Sequence, residues 1–182
     1  STDGGLTFTD LGPIPGPLTG SNGGDPGLAV DRLGNFYVSG LALDSLRPPG
    51  TQSTIGIWKS TNSGLSWSAP VYPSPGVTGF SDKPFIAVDT TQTRTSGNVY
   101  VSWTQLEPSP LTPDLPPQIP IFFSRSTNGG TSFSPAIQIS QPGDSCQGSE
   151  PAVGPGGEVY VTWMRAAPSP AAIFVAKSLD GG

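Results

Sequence analysis

The chain has 182 residues, a net charge of −5, 25 Gly and 22 Pro, and only 12% charged residues. Four Trp, four Tyr and eight Phe separate it from disordered chains, which are rich in charge and poor in aromatics, so short strands joined by Gly/Pro loops are expected. Eight Lys and Arg without a basic run argue against a nucleic-acid partner, the absence of His and the single Cys146 exclude a Cys/His zinc site and an intrachain disulfide, and no apolar run is long enough for a membrane-spanning helix.

The first element in the chain is Ser1-Thr2-Asp3-Gly4-Gly5-Leu6-Thr7-Phe8, with a strand expected over Leu6–Leu11. Next come Asp25-Pro26-Gly27-Leu28-Ala29-Val30-Asp31 and Gly34-Asn35-Phe36-Tyr37-Val38-Ser39. The first element then returns as Ser60-Thr61-Asn62-Ser63-Gly64-Leu65-Ser66-Trp67. The strand pair returns as Asp82–Asp89 and Gly97–Trp103. A third copy of the first element, Ser126–Phe133, is followed by Glu150–Gly154 and Gly157–Trp163, and Ser178-Leu179-Asp180-Gly181-Gly182 begins a fourth. Two elements recurring in phase divide one unit, 1–182, into repeats of about 1–59, 60–125 and 126–182. The middle repeat reads as four strands: A (Phe85–Val88), B (Val99–Trp103), C (Ile121–Ser124) and D (Ala136–Ser140). Each is β-branched or aromatic and bounded by Gly, Pro, Asn or Asp. Four antiparallel strands per repeat is the sequence form of a β-propeller blade. The fold class expected is therefore all-β, a propeller with three blades in this chain.

The recurring Ser-x-Asp/Asn-x-Gly-x-Thr/Ser-Trp/Phe resembles the Asp box of the bacterial neuraminidase repeat (BNR) family of sialidases and sialidase-like propellers. The resemblance implies that each box is the turn between strands C and D. Asp3, Asn62, Asn128 and Asp180 are then acceptors for backbone N–H groups two or three residues on. Gly5, Gly64 and Gly130 take positive φ, and Phe8, Trp67 and Phe133 pack the turn onto the blade. Tyr37, Tyr100 and Tyr160 recur at one strand B position, which reads as packing.

With alternating strands, the A–B turns and the boxes share one face. The D–A loops (Pro13–Asp25, Pro73–Asp82, Gln141–Glu150) and the B–C loops (Leu41–Thr54, Gln105–Pro120, Arg165–Ala172) share the other. Long, varied loops on a rigid scaffold carry function. Asp25, Asp82 and Glu150 stand before strand A in each repeat. They read either as an acidic ring for a cation or polar ligand, Ca²⁺ being the metal such oxygens suit, or as caps on backbone N–H groups. Arg47, Gln105 and Arg165 are the other candidate ligand-binding residues on this face. The Pro-rich stretch 107–120 reads as a stiff spacer or a docking surface.

The resemblance also implies a catalytic set: three arginines for a substrate carboxylate, a Tyr–Glu nucleophile pair and an Asp acid/base. Arg32 and Arg94 fall on the box face and Arg125 precedes a box. Only Arg47 and Arg165 remain on the loop face, and Glu107 has no evident Tyr partner. The reading is an extracellular or cell-surface recognition module for a glycan or protein ligand, not catalytic by itself and without an assigned cofactor. The alternatives are a sialidase-type glycoside hydrolase completed by further blades or a second chain, and a structural subunit of an extracellular assembly. Propellers close with about four to eight blades, so three blades imply a second copy, the remainder of a longer propeller, or an open assembly.

Overall fold

The computed structural model describes residues 1, 3–45, 53–73, 77–106 and 118–182. Its architecture is all-β, with no helix among those residues. The first sheet holds β1 (Gly20–Asn22), β2 (Gly27–Val30), β3 (Phe36–Asp44) and β4 (Ser53–Ser60). The second runs β5 (Phe80–Val88), β6 (Val99–Leu106), β7 (Ile121–Ser126) and β8 (Ile137–Gln138), and the third runs β9 (Ser145–Val153), β10 (Val159–Ala167) and β11 (Ala172–Ser178). All strand pairings within the sheets are antiparallel. The three sheets are consecutive blades of a propeller, and they do not close a ring.

Three strand expectations are corrected. Strand D of the middle blade is only Ile137–Gln138, and that of the first is a single bridge, Ile57 to Val71. Pro135, Pro70 and Pro73 flank these segments, and proline supplies no N–H to a ladder. No strand forms over Leu6–Leu11. Strand A is longer than expected and carries an irregularity in every blade. β1 and β2 pair with one edge of β3 on either side of a gap, and register shifts interrupt β5 and β9. A residue with positive φ marks each break: Asp25 at 56°, Lys83 at 48° and Gly148 at 65°.

The recurring turns form, but the acceptor side chains reach farther than two or three residues. Asn62 and Asn128 accept from the N–H groups of Ser66 (2.9 Å) and Ser132 (3.0 Å), four residues on. Asp3 accepts from Leu6 and Thr7 (3.0 and 3.1 Å). The leading serine is an equal partner. Ser1, Ser60, Ser126 and Ser178 each accept from the N–H of the second glycine position at 2.9 Å. Gly5, Gly64 and Gly130 have positive φ of 92°, 83° and 81°. Phe133 packs against the first core and Trp67 is half-buried, but Phe8 is 83% exposed. Residues 3–11 pair with no strand, so no sheet lies beneath Phe8.

The core sits in the seams between blades. Tyr37, Leu41, Ile55 and Ile57 of the first blade meet Ile86, Val88, Val99, Val101 and Trp103 of the second. Tyr100, Ile121 and Phe123 of the second meet Cys146, Val159, Val161 and Trp163 of the third. Each seam is latched by a turn. Lys59 Nζ donates to the Gly129 carbonyl (2.9 Å), and a Cβ on Gly130 would lie 3.1 Å from the Tyr37 ring. Arg125 Nη1 donates to the Gly181 carbonyl (3.0 Å), and a Cβ on Gly182 would lie 2.8 Å from the Phe123 ring and 3.3 Å from the Tyr100 ring. The turns that end strand A are tied by carboxylates. Asp31 accepts from Leu33 N, Asn35 N, Asn35 Nδ2 and the Tyr37 hydroxyl, and Asp89 accepts from the N–H and hydroxyl of Thr91.

Two outcomes follow for stability. Gly130→Val is expected to cost roughly 1–3 kcal/mol in urea unfolding, because it places a β-branched residue at positive φ against Tyr37. Burial raises the Asp31 and Asp89 pKa values, but the hydrogen bonds outweigh it and both carboxyls sit below the ordinary 3.8. Their contribution is complete above that value and is lost as pH falls through the folded-state pKa values. The melting temperature should therefore fall in acid below the ordinary carboxylate range, and less steeply in Asp31→Asn, as read by circular dichroism.

Candidate functional site

The loop face carries a cleft of about 490 Å³ at the outer ends of the first seam. Its parts come from four strands and the segment before β5. Gly20 and Ser21 lie on β1, and Leu43 and Asp44 end β3 with Ser45 following. Ser53 begins β4, and Gly79 leads into Phe80, the first residue of β5. Glycine is required at position 20, because a Cβ there would lie 1.7 Å from the Leu43 carbonyl oxygen. That close approach of β1 to β3 sets one wall.

The cleft has two chemical sides. Phe80 is 42% exposed and Leu43 38%, giving an aromatic and aliphatic surface. Oxygen atoms from Asp44, Ser21, Ser45 and Ser53 stand beside it. Their positions are fixed locally. Asp44 Oδ1 accepts from the Thr19 hydroxyl at 2.6 Å, Ser45 Oγ donates to the Thr19 carbonyl at 2.6 Å, and Ser53 Oγ donates to the Ser81 carbonyl at 3.4 Å. Such a site takes a ligand with one apolar face and several hydroxyl or amide groups.

A second polar group lies on the loop face of the third blade. Arg165 Nη1 is 3.9 Å from Asp144 Oδ1, and the guanidinium carbon stands 4.3 Å over the Phe174 ring. Asp144 is buried, and its Oδ2, together with Arg165 Nε and Trp163 Nε1, finds no hydrogen-bond partner among the described residues. Burial pushes the neighbouring Cys146 thiol up, with the Asp144 charge acting in the same direction. The thiol therefore stays protonated, a packing group and not a nucleophile.

Of the residues expected to form the site, Asp25 and Asp82 both act on Lys83, whose pKa is raised by its hydrogen bond to Asp82 and by the Asp82 and Asp25 charges. Asp25, Asp82 and Glu150 occupy three different strand positions. In register, Glu150 opposite Thr162 corresponds to Gly27 opposite Ser39 and Phe85 opposite Ser102. Asp25 therefore matches Lys83 and Gly148, not the other two carboxylates. Asp82 pairs with Lys83 at 2.6 Å, while Asp25 and Glu150 are exposed. The reading as equivalent carboxylates before strand A fails because the third repeat reaches its Pro two residues later in the ladder. Among the described residues no group of three or more Asp, Glu, Cys or His side chains is placed to hold a metal ion.

Gln105 is also reassigned. It is fully buried, its Oε1 accepts from Ser81 Oγ (2.8 Å) and Trp103 Nε1 (3.0 Å), and its Nε2 donates to the Thr78 carbonyl (2.8 Å). The side chain fastens the segment before β5 to the blade. Arg165 is its counterpart in the third blade: Gln105 faces Ser81 in the ladder and Arg165 faces Cys146. Arg47, Glu107 and most of the Pro-rich stretch lie outside the described residues. Asp44 and Phe80 were missed, although both fall in spans read as functional loops. One hydrophobic residue and one Asp among many carry no signal in a single sequence. Gln105→Ala should destabilise the protein by about 2–3 kcal/mol, since it strands buried donors and an acceptor, measured as a lower urea midpoint.

Comparison with known proteins supports the fold. No protein-family model matches the chain, and no curated protein matches it. Among solved structures it is similar to Hadza microbial sialidase Hz136, with a TM-score of 0.66 at 16% identity over 87% of this chain and 35% of that one. It is similar to the GH93 α-L-arabinofuranosidase of Fusarium graminearum, with a TM-score of 0.66 at 13% identity over 99% of this chain and 53% of that one. It is also similar to Trypanosoma rangeli sialidase, with a TM-score of 0.55 at 11% identity over 91% of this chain and 30% of that one. The chain spans about a third to a half of the length of these structures. At these identities the likeness carries the sialidase-like propeller fold, and glycan-related proteins recur among its bearers.

Proposed function

We propose that the chain is a glycan-recognition module of the BNR/Asp-box type, acting outside the cell and without catalysis of its own. The loop-face cleft carries this reading. A sugar ring has C–H faces that pack on an aromatic side chain and hydroxyl edges that bond to carboxylate and hydroxyl oxygens, and the cleft offers both beside one another. The four Ser-x-Asp/Asn-x-Gly turns support the family reading, with repeats of about 1–59, 60–125 and 126–182 as its units. The low charge and the Ser, Thr, Gly and Pro content support an extracellular setting. Tyr37 and Tyr100 support a non-catalytic role: both are buried in or beside the seams, out of reach of a substrate.

A glycan array probed with the 182-residue chain tests this. Binding to a restricted set of glycans is expected, weakened at least tenfold by Phe80→Ala and by Asp44→Asn. No binding, or binding indifferent to both changes, would overturn it. The hydrolase reading is favoured by one observation, the recurrence of glycoside hydrolases among the structural neighbours. It requires turnover of a fluorogenic sialoside or arabinoside, and a binding-competent preparation without turnover would eliminate it for those substrates.

A further inference from the structure

The turns between strands A and B of the first two blades begin alike and diverge at one oxygen. Asp31 and Asp89 stand at equivalent positions. Each donates its N–H to the carbonyl of the asparagine before strand B, Asn35 (3.0 Å) and Asn98 (2.9 Å). Four donors fill the Asp31 carboxylate. Its Oδ1 accepts from Leu33 N and Asn35 N, and its Oδ2 from Asn35 Nδ2 (2.8 Å) and the Tyr37 hydroxyl (3.1 Å). In the second blade the two donors to Oδ2 are turned away, because Asn98 Nδ2 donates to the Tyr100 hydroxyl instead (3.2 Å). Asp89 Oδ1 keeps the N–H and hydroxyl of Thr91. Asp89 Oδ2 has no partner among the described residues, although Asp89 is only 1% exposed.

The second turn, 90–97, is longer than the first, 32–34, and sets three hydroxyls in a row. Thr91 Oγ1 donates to Asp89 Oδ1 at 2.6 Å, and the Oγ1 atoms of Thr91, Thr93 and Thr95 follow one another at 2.8 and 2.9 Å. A hydroxyl has one proton and two lone pairs. A row that donates toward the carboxylate uses all its protons and keeps free lone pairs at Thr93 and Thr95. Burial raises the Asp89 pKa, and the hydroxyls of Thr91, Thr95 and Thr93, with the Thr91 N–H, lower it by more. The turn of the third blade closes over the row: a Cβ on Gly157 would lie 2.6 Å from both the Thr93 and Thr95 oxygens. Asp89 also lines a cleft of about 370 Å³ between the first two blades, with Ser96 and Gly97 beside it and Asp31, Arg32 and Leu33 from the first turn. A buried charged oxygen without a partner is costly. What surrounds this one is lone pairs and not protons, which is the surrounding of a cation.

We propose that Asp89 anchors a cation site in this cleft, with Oδ2 as its charged ligand and hydroxyl oxygens of the 90–97 turn and water as the others. The ion is Ca²⁺. A set made only of oxygens, most of them neutral and on one flexible turn, suits Ca²⁺ over softer metals and over Mg²⁺, which demands near-ideal octahedral geometry. One carboxylate, with the Arg32 charge in the same cleft, sets the affinity at the weak end, a Kd of about 10⁻⁴–10⁻³ M. The site lies at the opposite ends of the strands from the cleft at Phe80 and does not depend on what binds there.

Calorimetric titration of CaCl2 into the chelator-treated 182-residue chain, with melting curves alongside, tests the proposal. Saturable binding is expected, with the melting temperature raised by a few degrees at about 10 mM CaCl2 and not by NaCl of equal ionic strength. Asp89→Asn should weaken binding at least tenfold. Arg32→Ala, which removes a like charge from the cleft, should tighten it about twofold or more. Amide shifts produced by CaCl2 in the 15N-labelled wild-type chain should centre on residues 89–98, a readout that stands even where Asp89→Asn folds poorly. Absence of saturable binding, which would mean that water or Arg32 meets Asp89 Oδ2, would overturn the proposal. Binding unchanged by Asp89→Asn, or shifts centred elsewhere, would do the same.

Discussion

The structure depends on the contact between a glycine turn and aromatic rings across each blade seam. A side chain at Gly130 would press on Tyr37, and one at Gly182 on Phe123 and, behind it, Tyr100. Without side chains there, the turn sits close enough for Lys59 or Arg125 to reach its carbonyl. This joins local and long-range order. The turn is first made by its own serine and Asn or Asp, and only a turn of that shape offers the next blade its carbonyl and its flat glycine surface. A short-stranded protein with little charge gains its stability from burying the apolar faces of successive sheets, and the latch fixes the register in which those faces meet.

The seams also place the loop-face chemistry. Once the first and second blades are locked, the ends of β3 and β4 and the start of β5 have fixed separations. The cleft between them is therefore preformed, and its oxygen atoms are held by Thr19 and Ser81. The third blade contrasts with the second at one ladder position. Gln105 closes a neutral network in which each of its polar atoms is paired. Arg165 instead leaves its own Nε, Trp163 Nε1 and Asp144 Oδ2 unpaired among the described residues. Buried polar groups without partners are costly, so this part of the loop face is the less settled one.

Much of the fold was legible because it repeats. Turn residues recurring in phase with Val-Tyr-Val strands reveal the blade, and the glycines at positive φ follow from turn chemistry alone. The longer reach of the Asn and Asp side chains and the acceptor role of each serine need coordinates. The site was legible only as a face. Asp25, Asp82 and Glu150 looked equivalent because each precedes a proline nearby, but in the ladder Glu150 lies two positions beyond Asp25 and Asp82 one position before it. Gln105 looked available because it sits at a strand end, yet its burial depends on Thr78 and Ser81 from another strand and loop. Asp44 and Phe80 meet only after two blades have packed, and no spacing along the chain records that meeting.

The central claim is that ligand recognition belongs to the cleft between the first two blades. Amide chemical-shift mapping of the 15N-labelled chain, titrated with a panel of neutral and acidic oligosaccharides, tests it most directly. The account predicts shifts that saturate and cluster at residues 20–21, 43–45 and 79–80. Saturable shifts centred instead on the turns at 62–64 and 128–130, or none across the panel, would contradict it.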